Sequence, residues 1–596
     1  MKGMYNNVFH VDLSKGKTKR IDLDESLTED YIGGRGLGVK LFTDRADPGL
    51  DPLSKENLLV LTTGPVTGTS VPTNGRMSLV TKSPLTNSIF YSNTGGFFGF
   101  NLKRCGCDGI IIEGMADSPK YLLVDGEKGI LIKDASELWG LDTEETLSAI
   151  RKIEGEKSYM LMIGPAGENQ VKISSIMNNS ERAFGRGGVG AIWGSKNLKA
   201  IVVKNGKRKT EVHNPELLKT FVKSALDKIK VVPVTRAAYP LFGTSSLVNV
   251  INNLGMFPIK NFQEGYSPEV GKVSGETIRK DLLVETEACF GCSIKCGRKT
   301  RAGNMEGKGP EYETVWALGP DCGIYDLIKI TQANYHCNKL GLDTISAGGT
   351  IACAMELQEK GLLKDDKIKF GNADILTPLV KMISAKEGIG AELSEGSRYL
   401  SKKYKSEDSA IHVKGLELPA YDPRGAMGHA LGYATSNRGG CHLTGYMAAM
   451  EILAAPKKIP RFTIGGKADL LALKQNQSAV EDSLVTCKFA GFAVGFDFNA
   501  RFLTAITGLD MNISRLLEIG ERIYNLERLF NLKAGLTRKD DSLPKRFIEN
   551  ALKEGLSEGH TVPLEEMLDS YYAVRTWNND GVPKPKLLEK LGIANE

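Results

Sequence analysis

Three cysteines in one short stretch are the residues best suited to chemistry in this chain. Cys289, Cys292 and Cys296 leave two residues in the first gap and three in the second. Three closely spaced thiolates can bind one side of an iron–sulfur cluster, which then takes a fourth thiolate from elsewhere, and Cys487 is the candidate. A structural zinc site is the alternative. Zinc usually takes two local ligand pairs and no second CxxC or HxxxH follows, so the spacing favours a cluster and therefore electron transfer.

Two single residues are candidates for proton transfer. Glu313 lies between Tyr312 and Trp316, and partial removal from water would raise its pKa and make it a usable general base. His442 follows two glycines that could bring the backbone against a ligand, and His429 is a similar lone histidine. Taken alone, a glutamate is more often exposed or ion-paired, and a lone histidine is more often structural. A catalytic role for these residues therefore needs support from other features of the sequence.

A basic run follows the cysteine triplet and consists of Arg298, Lys299 and Arg301. Beside an electron-transfer centre, such a run could attract an acidic electron carrier. The alternative is a solvated run without a partner. Outside the candidate cluster ligands, the cysteines, Cys441 among them, are expected to be small buried residues or incidental thiols.

Composition places the chain among globular proteins of several domains. It has 596 residues, of which 41% are hydrophobic and 25% are charged. The net charge of +6 is too small for this length to indicate a nucleic-acid partner. The first residues lack the apolar core of a secretory signal, and no apolar run reaches the ~18 residues that span a bilayer, so no membrane partner is expected. The ten cysteines are mostly scattered, which argues against a disulfide scaffold and predicts a cytoplasmic protein.

The pattern of elements changes along the chain. Residues 1–207 are predicted to be mostly strands and turns, with one helix that begins at a capping-box pattern, Asp142 with Glu145. Helical periodicity prevails from Asn214 onward, for example in 344–361 and in 516–530. The sequence therefore predicts an α+β fold, with a β-rich domain at 1–207 and mainly helical domains at 208–415 and 416–596.

Glycine is abundant and clustered. Many of the 66 glycines stand in loops of the first third of the chain. Glycine permits left-handed backbone and a close approach of the main chain to a ligand. Several such loops together suggest a large, phosphate-bearing cofactor that is bound by backbone groups. An ordinary β-rich domain with many tight turns is the alternative.

Taken in order, the motifs resemble the tungsten-containing aldehyde ferredoxin oxidoreductase family along essentially the whole chain. The resemblance implies a β-rich first domain shaped as a saddle, with two mainly helical domains over it. The matching segments are 33–38 (GGRGLG), 63–69 (TGPVTGT), 164–169 (GPAGEN), 185–190 (GRGGVG), the cysteine triplet, 340–344 (LGLDT), 421–425 (YDPRG) and 439–442 (GGCH).

The resemblance also implies a set of cofactors. These are a tungsten or molybdenum held by the dithiolenes of two pterins, a Mg²⁺ that joins the pterin phosphates, and a [4Fe–4S] cluster bound by the triplet and Cys487. Arg76 matches an arginine between pterin and cluster, and the backbone carbonyls of Asn93 and Ala183 match the Mg²⁺ ligands. The other matching positions are Gly95, Arg182 and Gly185 near the phosphates, and Asn338, Leu342, Asp343, Asp482 and Thr486 in two DxxGL-type segments that bind the pterins.

The implied activity is the oxidation of an aldehyde to a carboxylic acid. Glu313 and His442 match the acid/base pair of the family: His442 would donate a hydrogen bond to the carbonyl oxygen, and Glu313 would activate water. The electrons would leave through the cluster to ferredoxin or a ferredoxin-like iron–sulfur subunit. One alternative is a family member with a different substrate, or a catalytic subunit of a larger electron-transfer complex. An electron-relay subunit without substrate chemistry is another.

The sequence departs from the family pattern at several positions. Asn338 replaces an aspartate in the first pterin-binding segment, and Val485 with Thr486 replaces Gly-Leu in the second. Thr444 stands where relatives carry a lysine near the pterin. The segment 332–335 (QANY) lacks the glutamate and histidine that bind a mononuclear iron between subunits. We therefore expect no such iron, and a homodimer would have to form without it. The aldehyde, and the choice of tungsten or molybdenum, stay open.

Overall fold

Two mixed sheets form the N-terminal part of the molecule. The computed structural model describes residues 1–179 and 182–594. The strands of these sheets are β1 (Asn7–Asp12), β2 (Lys17–Asp22), β3 (Leu59–Thr62), β4 (Met77–Lys82), β5 (Ile89–Thr94), β6 (Gly109–Glu113), β7 (Lys120–Asp125), β8 (Gly129–Asp134), β9 (Tyr159–Met162), β10 (Ile176–Asn178), β11 (Arg182–Phe184) and β12 (Leu198–Lys204). Within the described residues the first sheet has the order β2-β1-β6-β3-β4-β5 and the second has the order β11-β10-β9-β12-β7-β8. One neighbouring pair in each sheet is parallel, β1 with β6 and β12 with β7.

The centre of the first sheet is buried on both faces. Leu59 and Leu61 of β3 belong to the large core that also fills the second sheet and much of the helical part. Val60, between them, belongs to a separate core on the opposite face, where C-terminal helices pack. Successive side chains of a strand point to opposite faces. A strand that is covered on both faces therefore has apolar residues at consecutive positions. The helices of this N-terminal part are α1 (Glu25–Tyr31), α2 (Gly34–Thr43), α3 (Phe98–Arg104), α4 (Thr143–Glu154), α5 (Pro165–Glu168) and α6 (Val189–Ser195).

Two small sheets interrupt the helical remainder of the chain. One is three-stranded in the described residues, with the strands β13 (Leu283–Glu287), β14 (Gly297–Ala302) and β15 (Met305–Lys308). The cysteine triplet lies in the loop between β13 and β14. The other is a hairpin of β16 (His412–Val413) and β17 (Leu416–Glu417), and the expected domain limit at 415/416 falls in its turn.

Helices make up most of the chain after Lys204. Those up to residue 403 are α7 (Pro215–Val231), α8 (Tyr239–Phe242), α9 (Leu247–Asn253), α10 (Gly275–Asp281), α11 (Tyr312–Leu318), α12 (Leu327–Leu340), α13 (Thr344–Glu359), α14 (Leu376–Ala385), α15 (Ile389–Leu393) and α16 (Ser397–Lys403). The later ones are α17 (Met427–Thr435), α18 (Ala448–Glu451), α19 (Lys467–Leu484), α20 (Asp497–Thr507), α21 (Ile513–Lys533), α22 (Lys545–Glu549), α23 (Leu564–Val574) and α24 (Pro585–Lys590). The α+β prediction, with a β-rich first part and helices after it, is confirmed.

The three helices predicted from local patterns are present. Both halves of the capping box at α4 form: the Asp142 side chain accepts from backbone N–H groups, and the Glu145 side chain accepts from the Asp142 N–H. Helix α13 ends two residues before Gly361, which has a φ of 69°, the left-handed conformation that glycine supplies at such ends. Helix α21 covers the predicted 516–530 segment. Among the described residues, no helix combines the length and the apolarity that are needed to cross a membrane.

Candidate active site

The loop that carries the cysteine triplet is bound to the first sheet by its backbone. The Phe290 N–H donates to the Gly96 carbonyl oxygen over 3.2 Å, and the Phe290 ring stacks on Phe100 with 3.6 Å between ring centroids. A Cβ atom at Gly75 would lie 2.8 Å from both the Gly96 and the Phe290 carbonyl oxygens. Only glycine therefore lets these backbones meet, and the approach fixes Cys289 against the edge of β4 and β5.

Cys487 reaches the triplet from the C-terminal part of the chain. The pKa of Cys292 is raised to about 11 and that of Cys296 to about 12, mainly by burial, and a negative charge on Cys487 contributes to both increases. Cys292 and Cys296 also pack in one apolar cluster with Phe489, two residues after Cys487. The structure thus places Cys487 near the triplet. Among the described residues, no three His, Cys, Asp or Glu side chains form a ready group for a metal ion, so the geometry alone does not choose between a zinc site and a cluster.

Arg182 lies against a cysteine of this group. Its Nε donates to Cys289 Sγ over 3.3 Å, and its Nη1 pairs with Glu311 Oε1 at 3.2 Å. Burial favours the neutral thiol, but the charge and hydrogen bond of Arg182 bring the pKa of Cys289 below its usual value. A Cβ at Gly95 would lie 2.8 Å from Cys289 Sγ. Arg182 and Gly95, expected near the pterin phosphates, therefore contact the cysteine group.

The edges of the two large sheets meet beside Arg182. Arg76 Nη2 donates to the Asn93 carbonyl oxygen over 3.2 Å. Ala183, on β11, pairs with Met177 of β10, and β11 lies against β5. The buried side-chain oxygens of Asn93 and Asn178 have no hydrogen-bond partner in the described residues. Unpaired buried amide oxygens fit a site for a bound cation or polar group, because such atoms are costly to leave unsatisfied.

The two predicted pterin-binding segments have the same local structure. Each begins at the end of a long helix and continues through a left-handed residue: Gly341, with a φ of 76°, after α12, and Val485, with a φ of 60°, after α19. The helix ends contact glycines of the N-terminal part, since a Cβ at Gly164 would lie 2.5 Å from the Leu340 carbonyl oxygen. At Gly64 it would lie 2.7 Å from the carbonyl oxygen of the corresponding leucine, which precedes Val485. Val485 therefore adopts the left-handed conformation that Gly341 adopts in the first segment, although this conformation is strained for a β-branched residue.

The polar residues of these segments have different partners. Asp482 is buried and lies 3.5 Å from Arg35 Nη1. Asn338 is partly exposed, and its carbonyl oxygen accepts from Thr143 Oγ1 over 3.1 Å. The remaining predicted residues lie in the same two turns: Leu342 forms a β-bridge with Ser174, Asp343 caps α13 and pairs with Arg186, and the Thr486 N–H donates to Glu481 O. Their contacts to a cofactor stay predictions.

Glu313 and His442 face each other across a buried gap. Glu313 lies in the first turn of α11; its Oε2 accepts from the Ala420 N–H over 2.9 Å, and its Oε1 is 3.6 Å from His442 Nε2. Neither Glu313 Oε1 nor His442 Nδ1 has a hydrogen-bond partner in the described residues. Burial raises the pKa of Glu313 to about 8 and lowers the pKa of His442 well below its usual value. Both groups are therefore mainly neutral at pH 7, with free polar atoms for a ligand.

Aromatic rings surround this pair. The hydroxyl groups of Tyr421 and Tyr446 lie 2.9 Å apart, and their rings lie 5.9 and 6.2 Å from the His442 ring. His429 is buried, has no partner for either nitrogen in the described residues, and packs on Tyr433 with 4.7 Å between centroids. Sequence reasoning missed Tyr433 and Tyr446. Tyr433 lies four residues after His429 on α17, a spacing that places both on one helix face and could have indicated it.

Two predictions from local sequence need correction. Arg298 is buried, while Lys299 and Arg301 pair with Glu306 at 2.8 and 2.7 Å, so the predicted basic run is not a free charged surface. Cys441 is buried as expected, but it is not an inert thiol. Arg438 lies 2.7 Å from its Sγ and, against the effect of burial, lowers its pKa to about 7.

The family comparisons cover both parts of the fold. Residues 8–205 match the family model described as "Aldehyde ferredoxin oxidoreductase, N-terminal domain". Residues 220–593 match the model described as "Aldehyde ferredoxin oxidoreductase, domains 2 & 3". The break between the two models covers the segment that joins β12 to α7 and the first residues of α7.

Individual relatives resemble the chain over its length. A tungsten-containing aldehyde ferredoxin oxidoreductase of Pyrococcus furiosus is 48% identical over 100% of both chains. The aliphatic sulfonate oxidoreductase, WOR-like subunit, of the same organism is 31% identical over 99% of this chain and 97% of its own. A solved structure of the active site complex BamBC of benzoyl coenzyme A reductase with 1,5-dienoyl-CoA has a TM-score of 0.86 and 25% identity, covering 100% of this chain and 97% of that one.

Proposed function

This chain belongs to the aldehyde ferredoxin oxidoreductase family, and from that premise we propose that it oxidises an aldehyde to the carboxylic acid. The two electrons removed pass to ferredoxin. The pair formed by Glu313 and His442 is the observation that carries the proposal. In this pair, a carboxyl group with one unpaired oxygen lies beside a neutral imidazole, and aromatic side chains surround both. The same molecule carries the four thiols of the proposed electron exit.

The two residues take complementary roles. Once ionised, Glu313 accepts a proton from water through Oε1, while the Ala420 N–H holds Oε2 in place. The oxygen of that water adds to the carbonyl carbon. The neutral His442 donates a hydrogen bond to the carbonyl oxygen and stabilises the charge that develops there. The net reaction converts an aldehyde and water into a carboxylic acid, two electrons and two protons.

The family implies a tungstopterin cofactor, and the residues present fit one. When bound, the tungsten or molybdenum bis-pterin group would accept the two electrons from the aldehyde. We propose that Arg76 lies between a pterin and the cluster, and that the backbone carbonyls of Asn93 and Ala183 hold the Mg²⁺ that joins the pterin phosphates. The unpaired side-chain oxygen of Asn93 and the open space beside Gly185, where a Cβ would meet no atom within 4 Å, support a polar ligand in this place. The turns 338–343 and 482–486 would bind the pterin rings.

We further propose that Cys289, Cys292, Cys296 and Cys487 bind a [4Fe–4S] cluster that serves as the electron exit. The convergence of these thiols from two distant segments supports this role. None of the ten cysteines forms a disulfide in the described residues, which fits a reducing cytoplasm.

A homodimer is proposed without a shared mononuclear iron. The side-chain amide of Gln332, which occupies a position of that iron site in relatives, donates instead to Ala302 O within the chain.

A second candidate is a member with another substrate, working as the catalytic subunit of a larger complex. The likeness to a WOR-like subunit and to the BamBC complex favours it. The higher identity to aldehyde-oxidising relatives favours the first proposal. A relay subunit without substrate chemistry is least favoured, because both Glu313 and His442 are present.

An anaerobic assay with a panel of aldehydes and a viologen dye tests the proposal, together with metal analysis. We expect aldehyde-dependent dye reduction, with about four iron atoms and about one tungsten or molybdenum atom per chain. Reduction driven only by non-aldehyde substrates would favour the second candidate. Iron without tungsten or molybdenum would favour the electron-relay subunit without substrate chemistry.

A further inference from the structure

Free positive charge is present on an element other than the one that the sequence suggests. The basic residues after Cys296 are buried or ion-paired. Lys228, Lys230 and Arg236 are exposed instead, and none of them has an acidic partner in the part of the chain that the structure describes. They lie at the end of α7 and in the π-helical turn that follows it, Val234–Ala238.

This end of α7 packs directly on the cysteine group. Ile229 is buried in the apolar cluster that contains Cys292 and Cys296, and Val234 packs against the same cluster. Lys228 and Lys230 flank Ile229 in the helix and point to solvent. This surface and two of the proposed cluster ligands therefore border the same apolar cluster.

The centre of the surface is apolar. Val231, the last residue of α7, is 66% exposed, and the adjoining Pro233 is also exposed. A shallow groove runs from Val231 along the solvent face of the helix. Its lining residues are Thr220, Lys223, Ser224, Asp227, Lys228 and Val231. An exposed apolar centre with a charged rim is the usual composition of a protein-binding surface.

We infer that this α7 face, defined by Lys228, Lys230, Val231 and Arg236, is the docking surface for an acidic electron-carrying protein. The inference rests on the proposed electron exit through the cysteine group. The exposed cations would attract an acidic carrier, and Val231 would give the short-range contact. The carrier would then lie beside the apolar cluster against which Cys292 and Cys296 also pack, and the electron would leave through that cluster.

The test uses the loaded enzyme and a small acidic bacterial-type ferredoxin. The double variant Lys230→Glu with Arg236→Glu reverses two charges of the α7 face. We expect its KM for ferredoxin to rise about tenfold or more and its salt dependence to weaken, because electrostatic steering changes association rates by 10–10³-fold. Turnover with a viologen dye and the EPR signal of the cluster should stay unchanged.

Two exposed lysines far along the chain provide a matched control. Lys402→Glu with Lys405→Glu makes the same change of charge at the end of α16, and we expect no change in the KM for ferredoxin. Equal KM values in the α7 variant and the wild type would overturn the docking surface, as would equal losses in both double variants. Direct binding of ferredoxin, measured by calorimetry, separates this failure from a failure of the proposed function, because it requires no aldehyde oxidation.

Discussion

Glu313 is bound through one carboxylate oxygen and free at the other, an arrangement suited to a group that must exchange protons. The Ala420 N–H fixes its position, while burial, and not an ion pair, is the main cause of its raised pKa. His442 lies within 3.6 Å and is kept neutral by its own burial. Glu313 is therefore mainly protonated at pH 7, where a carboxyl in water is ionised, and His442 stays neutral at acidic pH values where an imidazole in water is protonated.

This environment predicts a pH dependence. The carboxylate of Glu313 is the active base, and its pKa is about 8, so kcat should rise with pH through about pH 8. Below that pH, kcat should fall about tenfold per unit, since the ionised fraction falls in that proportion. His442 titrates well below this range and adds no second limb there. Steady-state kinetics between pH 6 and 9 would check this, and a flat profile would exclude Glu313 as the base.

The fourth thiolate gives another prediction at the residue scale. Cys487→Ala should abolish the EPR signal of a four-iron cluster, because the remaining three thiolates leave one corner without a ligand. Cys353→Ala is the matched control, since Cys353 is a buried cysteine within α13, away from the loop that carries the triplet. It should keep the full signal. An intact signal in the Cys487 variant would require another fourth ligand.

At the scale of elements, sequence patterns predict what is local. The capping box at α4 and the apolar spacing of α21 predict helices because the determining contacts lie within one or two turns. The basic run after Cys296 shows where such reasoning fails. Its charges are neutralised by Glu306 of the neighbouring strand and by burial, and pairing across strands cannot be derived from spacing along one strand.

The contact of the cysteine loop with β5 yields a prediction at this scale. Gly75→Ala would place a Cβ 2.8 Å from the backbone of Phe290 and Gly96, so the loop must move. We expect a loss of about 1–3 kcal/mol in unfolding free energy, typical of overpacking, and lower iron content. Gly465→Ala is the control, because a Cβ there meets no atom within 4 Å. Thermal unfolding and iron analysis would measure both variants, and equal iron content would contradict the role of this contact.

At the scale of the whole molecule, the site is assembled from distant parts of the chain. Arg76 and Asn93 come from the first sheet, Arg182 from the second, and Glu313, His442 and Cys487 from the helical parts. The resemblance to a family predicts which residues these are, because their motifs are local. It does not predict their contacts. The Arg182–Cys289 hydrogen bond and the aromatic wall formed by Tyr433 and Tyr446 arise only when the separate elements pack.

Glu313 and His442 are proposed to promote the oxidation of an aldehyde by supplying a base and a hydrogen bond, while the bound cofactor would take the electrons and pass them to the group of four cysteines. Mixing the loaded, oxidised protein with an aldehyde anaerobically, without an external acceptor, and following cluster reduction by EPR tests it most directly. We predict rapid reduction in the wild type and a rate lower by about 10²-fold or more in Glu313→Gln, the contribution expected of a general base. The same reduction rate in Glu313→Gln, at equal metal content, would contradict the account, as would a wild-type cluster that stays oxidised.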